Sequence, residues 1–302
     1  MFKVESINHT VFILADFLEY QALSKGKCAL NDLRSFLSAS DDELEIGCID
    51  EGDDKVLNKL QEALLCCSQR KKEFCEYPFV INEQSIALSN NFNDKELIYL
   101  FLLLANRMNM QKERVQEGKD ATKLFEHLCR LDVLNYFGNR SKCEIFGTSV
   151  VVNFKDNVDA LLKKLNVMGE YKQPYGGTNQ QKDGGVDIVA WIPFEDGKDS
   201  QLIALGQCKT GSNWQNLIRK VDFFDNFSTG RPFVNPLYMF FVSEDFGRNK
   251  WEEYSRGGGI LFDRKRVLEF LPDSIKDIDS ALFEDIQTWV YATIGYINEN
   301  RE

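Results

Sequence analysis

Asp187, Gln207, Cys208 and Lys209 are the residues whose types and spacing could do chemistry in this chain. Asp187 ends the polar run Lys182-Asp183-Gly184-Gly185-Val186-Asp187 and opens an apolar stretch that continues to Trp191. Gln207-Cys208-Lys209 closes a second apolar stretch, which begins at Gln201. If the two stretches pair as an antiparallel hairpin, the start of the first meets the end of the second. Strand alternation then puts Gln207 and Lys209 on one face and turns Cys208 into the core. A carboxylate, an amide oxygen and an ammonium converge at one sheet edge. That donor set suits a hard divalent cation carrying a water.

The hairpin itself is expected from two strand signals, Val186–Trp191 and Gln201–Lys209, joined by the turn-prone Glu195-Asp196-Gly197-Lys198-Asp199-Ser200. Around it the pattern predicts helices over Ala121–Phe137 and Lys155–Leu165, with short apolar stretches at Glu144–Phe146 and Val150–Val152 between them. Pro236–Val242 reads as a buried strand and Gly259–Phe262 as a short one, followed by a helix over Asp263–Phe270. A last helix over Ser274–Ile297 carries Ile278, Leu282, Ile286, Val290 and Ile294 on one face.

Residues 1–118 read differently, as mainly helical. Helices are expected over Asn8–Ser24, near Asn31–Leu37, after an Asp53 or Asp54 cap, and from Asn93 or Asp94 onward. One hairpin joins Phe79–Asn82 to Ile86–Leu88. The polar stretch Met108–Asp120 marks the boundary. The expected organisation is a helical accessory or docking domain, 1–118, and an α/β domain, 119–302, that includes the C-terminal helix.

Composition excludes several classes. The 302 residues are 43% hydrophobic, 27% charged and 12% aromatic, with 6 Pro and 20 Gly, so the chain is not of a disordered or low-complexity kind. The longest apolar run, Leu97–Ala105, is too short to span a membrane, and the N-terminus has no secretory pattern. A soluble cytoplasmic protein is expected. The 8 Cys lack C-x-x-C pairing and most sit beside apolar residues, as free buried thiols do; with only 2 His, a zinc site is not expected. The net charge is -11, and eight acids without a base fall between Asp41 and Asp54. Long-range attraction to a phosphate backbone should therefore be weak without help. Short basic clusters do occur at Arg219-Lys220 and Arg264-Lys265-Arg266.

Gly-Gly-Val-Asp at 184–187 followed by Gln-Cys-Lys at 207–209 resembles the PD-(D/E)xK nuclease superfamily, in the restriction-endonuclease-like branch that uses Q-x-K. Leu124-Phe125-Glu126-His127-Leu128 looks like that branch's opening F-E-x-L helix, and Phe262-Asp263-Arg264 fits the way such cores close. The resemblance covers residues 121–271 and implies a mixed central sheet flanked by helices. It implies that Asp187 is the principal metal ligand, that Gln207 and the Cys208 main-chain carbonyl supply oxygens, and that Glu126 binds metal directly or through water. Lys209 would orient or deprotonate the attacking water. Mg²⁺, with Mn²⁺ as a substitute, would be the cofactor.

The implied activity is hydrolysis of DNA phosphodiesters, as the effector of a prokaryotic restriction or antiviral defence system. A protein partner, such as a helicase or ATPase, would deliver DNA or restrain the nuclease. Gln in place of a carboxylate is compatible with a catalytically silent assembly subunit of the same fold, and the metal chemistry that DNases and RNases share leaves an RNase as a third possibility. Asp156, Asp159 or Glu170 could stand in for Glu126, and Lys209 could instead be an edge-strand lysine. Asn213 and Trp214 could stack on nucleic acid, although a packed Trp214 is the simpler reading. Gly176, Gly177, Gly184 and Gly185 could let the backbone approach a phosphate.

Overall fold

The computed structural model describes residues 10–33, 49–74, 76–146, 153–174, 185–211, 213–218 and 220–299, the side chains of 49–55 excepted. His9, Cys48, Cys75, Val150–Val152, Gly176, Gly177, Gly184 and Arg219 lie outside the described residues, as does most of the acidic run from Asp41. The chain divides into two units, one of residues 1–121, 243–247 and 274–302, the other of 122–242 and 248–273.

The first unit opens with α1 (Val11–Lys25), capped by the Thr10 hydroxyl on the Ile13 N–H. Strand β1 (Lys27–Ala29) follows, then α2 (Ile49–Glu73). Helix α2 already runs through Asp53 and Asp54, so neither is its cap; acids favour the N-terminal turn of a helix and extend it rather than stop it. Its stripe of Val56, Leu60, Ala63, Leu64 and Cys67 is buried. The expected hairpin forms as β2 (Phe79–Asn82) and β3 (Ser85–Leu88), and β1 joins it as a third, antiparallel strand. Helix α3 (Asp94–Arg107) starts at a reciprocal box in which Asn93 accepts from the Glu96 amide and Glu96 accepts from the Asn93 amide. The polar stretch near 115 folds as a small hairpin, β4 (Val115–Gln116) with β5 (Lys119–Asp120).

The second unit begins with α4 (Ala121–Phe137), bounded as its apolar spacing predicts. Then come β6 (Lys142–Ile145), α5 (Phe154–Lys164), β7 (Ile188–Ile192) and β8 (Leu202–Lys209). A short α6 (Phe223–Phe227) leads to β9 (Leu237–Val242), α7 (Arg248–Gly258), β10 (Ile260–Phe262) and α8 (Arg264–Phe270). The five strands form one mixed sheet in the order β10-β9-β8-β7-β6. The β6–β7 and β7–β8 pairs are antiparallel, while β9 runs parallel to β8 and β10 parallel to β9.

Alternation along β7 and β8 gives the sheet its two buried faces. Val189, Trp191, Ile203 and Leu205 pack with Val158, Leu161 and Leu162 of α5 and Phe223, Phe224 and Phe227 of α6. The opposite face holds Ile188, Ala190, Ala204, Gly206 and Cys208. At Gly206 a side chain would crowd Ile188 and the Phe241 ring at 3.3 Å each.

The chain returns to the first unit at the end. The last helix divides into α9 (Ile275–Ile278) and α10 (Ser280–Glu299), because Ser274 and Asp279 each cap a start: Ser274 accepts from the Asp277 amide and Asp279 from the Leu282 amide. Ile278, expected on the apolar stripe, is 61% exposed as a result. Helix α10 belongs with the helical unit and not, as expected, with the α/β domain. Its buried face of Leu282, Phe283, Ile286, Trp289 and Val290 explains this, since the Trp289 ring meets Phe101 of α3 edge-on at 5.4 Å and its indole N–H donates to the Arg114 carbonyl. No helix among the described residues is long and apolar enough to cross a membrane.

Candidate functional site

Strands β7 and β8 bring the two sequence signals together. Their register pairs Ile188 with Gly206, so Asp187, one residue before β7, falls beside the final residues of β8. Gly185, at φ +78°, makes the left-handed turn that leads the chain into that position. The Asp187 main chain is held from both sides, its N–H donating to the Gly206 carbonyl and its carbonyl accepting from the Phe146 N–H.

The Asp187 carboxylate puts both of its hydrogen bonds on one oxygen. Oδ2 accepts from the Cys208 amide at 2.7 Å and from the Lys209 ammonium at 2.9 Å. Its Oδ1 has no hydrogen-bond partner among the described residues. The pair is largely shielded, with side chains 25% exposed for Lys209 and 11% for Asp187. Charge-assisted bonds of this length, in surroundings poorer in water than the surface, fix both groups in one geometry. Strand β8 is the middle strand of five, so Lys209 is not an edge lysine.

Gln207 shares the Lys209 face by alternation and is buried, and its Oε1 has no hydrogen-bond partner among the described residues. An orphaned carbonyl oxygen in the interior is destabilising unless something else occupies it. Cys208 turns the other way, as expected, and its thiol meets Cys129 of α4. Burial raises that thiol, the Cys129 contact and Lys209 lower it, and the charges of Asp187 and Glu126 raise it. Cys129 and Cys143 are likewise held protonated by burial, Cys143 up to about 12, as packed thiols rather than reactive ones.

Glu126 lies one helical turn before Cys129 and is half-buried. Its charge reaches the same thiol as those of Asp187 and Lys209. The three alternative acids do other work. Asp156 takes part in the start of α5 with Asn153, Asp159 accepts the Tyr171 amide at 2.5 Å, and the exposed Glu170 is tied through its main chain to Thr229. His127 is exposed.

Trp214 is fully buried against Tyr254, at 4.8 Å, and Phe240, so it packs and does not stack on a ligand. The expected basic cluster at 264–266 is largely folded inward: Arg264 is buried, while Arg266 lies over the Trp251 ring at 4.3 Å and donates to the Leu261 carbonyl. No family model, curated protein or solved structure matches this chain.

Among the described residues, no group of three or more His, Cys, Asp or Glu side chains is arranged to hold a metal ion. A cation here would rest on a mixed set: the free Oδ1 of Asp187, the orphaned Oε1 of Gln207, and waters. That chemistry fits a hard cation such as Mg²⁺, which keeps several waters and takes few protein carboxylates.

Two polar features elsewhere escaped the sequence reading. In α4, Asp132 is wholly buried with neither carboxyl oxygen hydrogen-bonded among the described residues, and burial raises its carboxyl well above the usual range. In the helical unit, Arg70 donates to Asp16 at 2.7 Å, Glu19 at 2.8 Å and Asp245 at 2.7 Å. Arg107 donates to Asp16 at 2.8 Å and Glu244 at 3.1 Å, and the Tyr77 and Tyr99 hydroxyls donate to Glu19. The available signal was Asp16 and Glu19, two acids three apart inside the apolar run of α1.

Proposed function

We propose that this chain is a metal-dependent endonuclease with a restriction-endonuclease-like core, hydrolysing DNA phosphodiesters in a prokaryotic defence or restriction system. The observation that carries the reading is the 2.9 Å pair between Lys209 and Asp187 at the common end of two antiparallel strands. It stands beside a carboxylate oxygen and an amide oxygen that have no hydrogen-bond partner among the described residues. In-line attack on a phosphodiester needs an activated water and positive charge near the developing phosphorane, and these groups could supply both.

In this reading Asp187 Oδ1 and Gln207 Oε1 would hold Mg²⁺, and the Cys208 carbonyl and Glu126 would contribute directly or through water. The bound cation would lower the pKa of its water and polarise the phosphoryl oxygen. Asp187 Oδ2 keeps the Lys209 ammonium aimed at the reacting group. Lys209 Nζ orients the water through its N–H groups and offsets negative charge as the bond to phosphorus forms. The Cys208 amide holds the carboxylate plane, so Asp187 need not reorganise. A helicase or ATPase partner would supply DNA to a chain with net charge -11.

Gln207 in place of a carboxylate, together with the absence of a three-ligand group among the described residues, favours one other reading, a silent assembly subunit. Calorimetric titration with Mn²⁺ separates the two. The nuclease reading expects binding by the native protein, at least tenfold weaker binding by Asp187→Asn, and tighter binding by Gln207→Glu. Absence of binding to the native protein would favour the assembly subunit.

A further inference from the structure

The helical unit contains an open groove of about 1000 Å³ between the end of α2, strand β1 and the β2–β3 turn. Lys27, Lys71 and Lys72 line it, with Asn82 and Gln84 as neutral polar groups and Glu83 as the one acid among the described residues. All three lysines are exposed, and none has an ion-pair or hydrogen-bond partner among the described residues. Lys164 and Lys250, also exposed, are paired with Glu144 and Glu253; what sets the three lysines apart is that they converge on one concave surface. In a chain with 47 acids and 36 bases, three unpaired lysines around one concave surface stand against the prevailing charge.

Helix polarity explains Lys71 and Lys72, since the last turn of α2 favours cations. It does not explain Lys27, which reaches the groove from a strand. Among the described residues, the lining has no aromatic side chain on which a base could stack. Ammonium groups backed by amide donors match phosphate oxygens, which position a nucleic acid without reading its sequence.

We propose that this groove binds the phosphate backbone of DNA. The helical unit then supplies the positive surface that the candidate nuclease needs, and in that respect the inference rests on the nuclease reading. Binding here is non-specific and steeply salt-dependent, because each neutralised phosphate releases condensed counterions.

The test is fluorescence anisotropy of the full chain with a labelled DNA duplex, in metal-free buffer containing a chelator, over a series of salt concentrations. The triple variant Lys27→Glu/Lys71→Glu/Lys72→Glu should bind at least tenfold more weakly. Its slope of log affinity against log salt should be shallower by about 2 to 3. The corresponding Lys→Gln triple should fall between it and the native protein, while Lys250→Glu should leave binding unchanged. Circular dichroism checks that the variants fold.

Equal affinity and slope in native and triple variant would overturn the proposal, as would no binding by the native protein at low salt. Binding of a poly-glutamate peptide without binding of DNA would overturn it too, and give the groove to an acidic protein. The readouts separate this proposal from the nuclease reading. DNA binding lost in the triple variant, with no cutting in any metal, leaves the groove standing and the nuclease fallen. Cutting that depends on Lys209 but not on the three lysines does the reverse.

Discussion

In the helical unit, both carboxylate oxygens of Asp16 and of Glu19 accept hydrogen bonds, from Arg70, Arg107, Asn106, Tyr77 and Tyr99. In the sheet unit, Asp187 carries two donors on Oδ2, and neither its Oδ1 nor Gln207 Oε1 has a donor among the described residues. Both groupings take charge out of water. The first is closed, since each oxygen of the two acids already carries at least one donor. The second leaves Asp187 Oδ1 and Gln207 Oε1 without a donor among the described residues. A buried polar group costs stability unless it is paired, so an open one marks the place where folding has not been the only demand. Asp132 is a third case: it has no donor among the described residues, and burial pushes its carboxyl well above the usual range, favouring the uncharged form.

The closed network should be the more sensitive to removal of one member. Arg70→Ala leaves Asp16, Glu19 and Asp245 short of a cation in the interior, and about 3–5 kcal/mol of stability should be lost. Urea denaturation measures it, and a loss below about 1 kcal/mol would mean that the network behaves like a surface ion pair.

Asp132 gives a smaller effect with a definite sign. Its folded chain holds a proton that the unfolded chain gives up near pH 4, so its contribution to stability is full below that pH and is lost as pH rises towards the folded pKa. Asp132→Asn removes the titration. Over that interval the stability of the variant relative to the native protein should rise by about 1.4 kcal/mol per pH unit. Urea midpoints across a series of buffers would follow it, and a difference that does not change with pH would contradict a protonated Asp132.

Local signals carried much of the fold. The β7–β8 hairpin followed from period-two alternation around a turn-rich linker, and α3 and α8 began where Asn93 and Asp263 could cap them. Helix α7 was missed because Arg248–Gly258 has no apolar stripe, and β1 because three residues give no period to read. Of the candidate site, the meeting of Asp187 with Lys209 was legible, since strand pairing fixes it. The engagement of Asp187 by the Cys208 amide and the inward turn of the 264–266 basic run were not, because both depend on tertiary packing. The Arg70–Asp245 bond joins residues 175 apart, a separation over which no periodicity speaks.

The open site makes the central claim, and DNA cutting tests it most directly. Purified native protein should nick or linearise plasmid DNA with Mg²⁺ or Mn²⁺. Lys209→Ala and Asp187→Ala should each lower the rate by at least about 10²–10³-fold while retaining the native circular dichroism spectrum. Cutting that survives both substitutions would place the chemistry elsewhere. No cutting by the native protein in either metal would contradict the account.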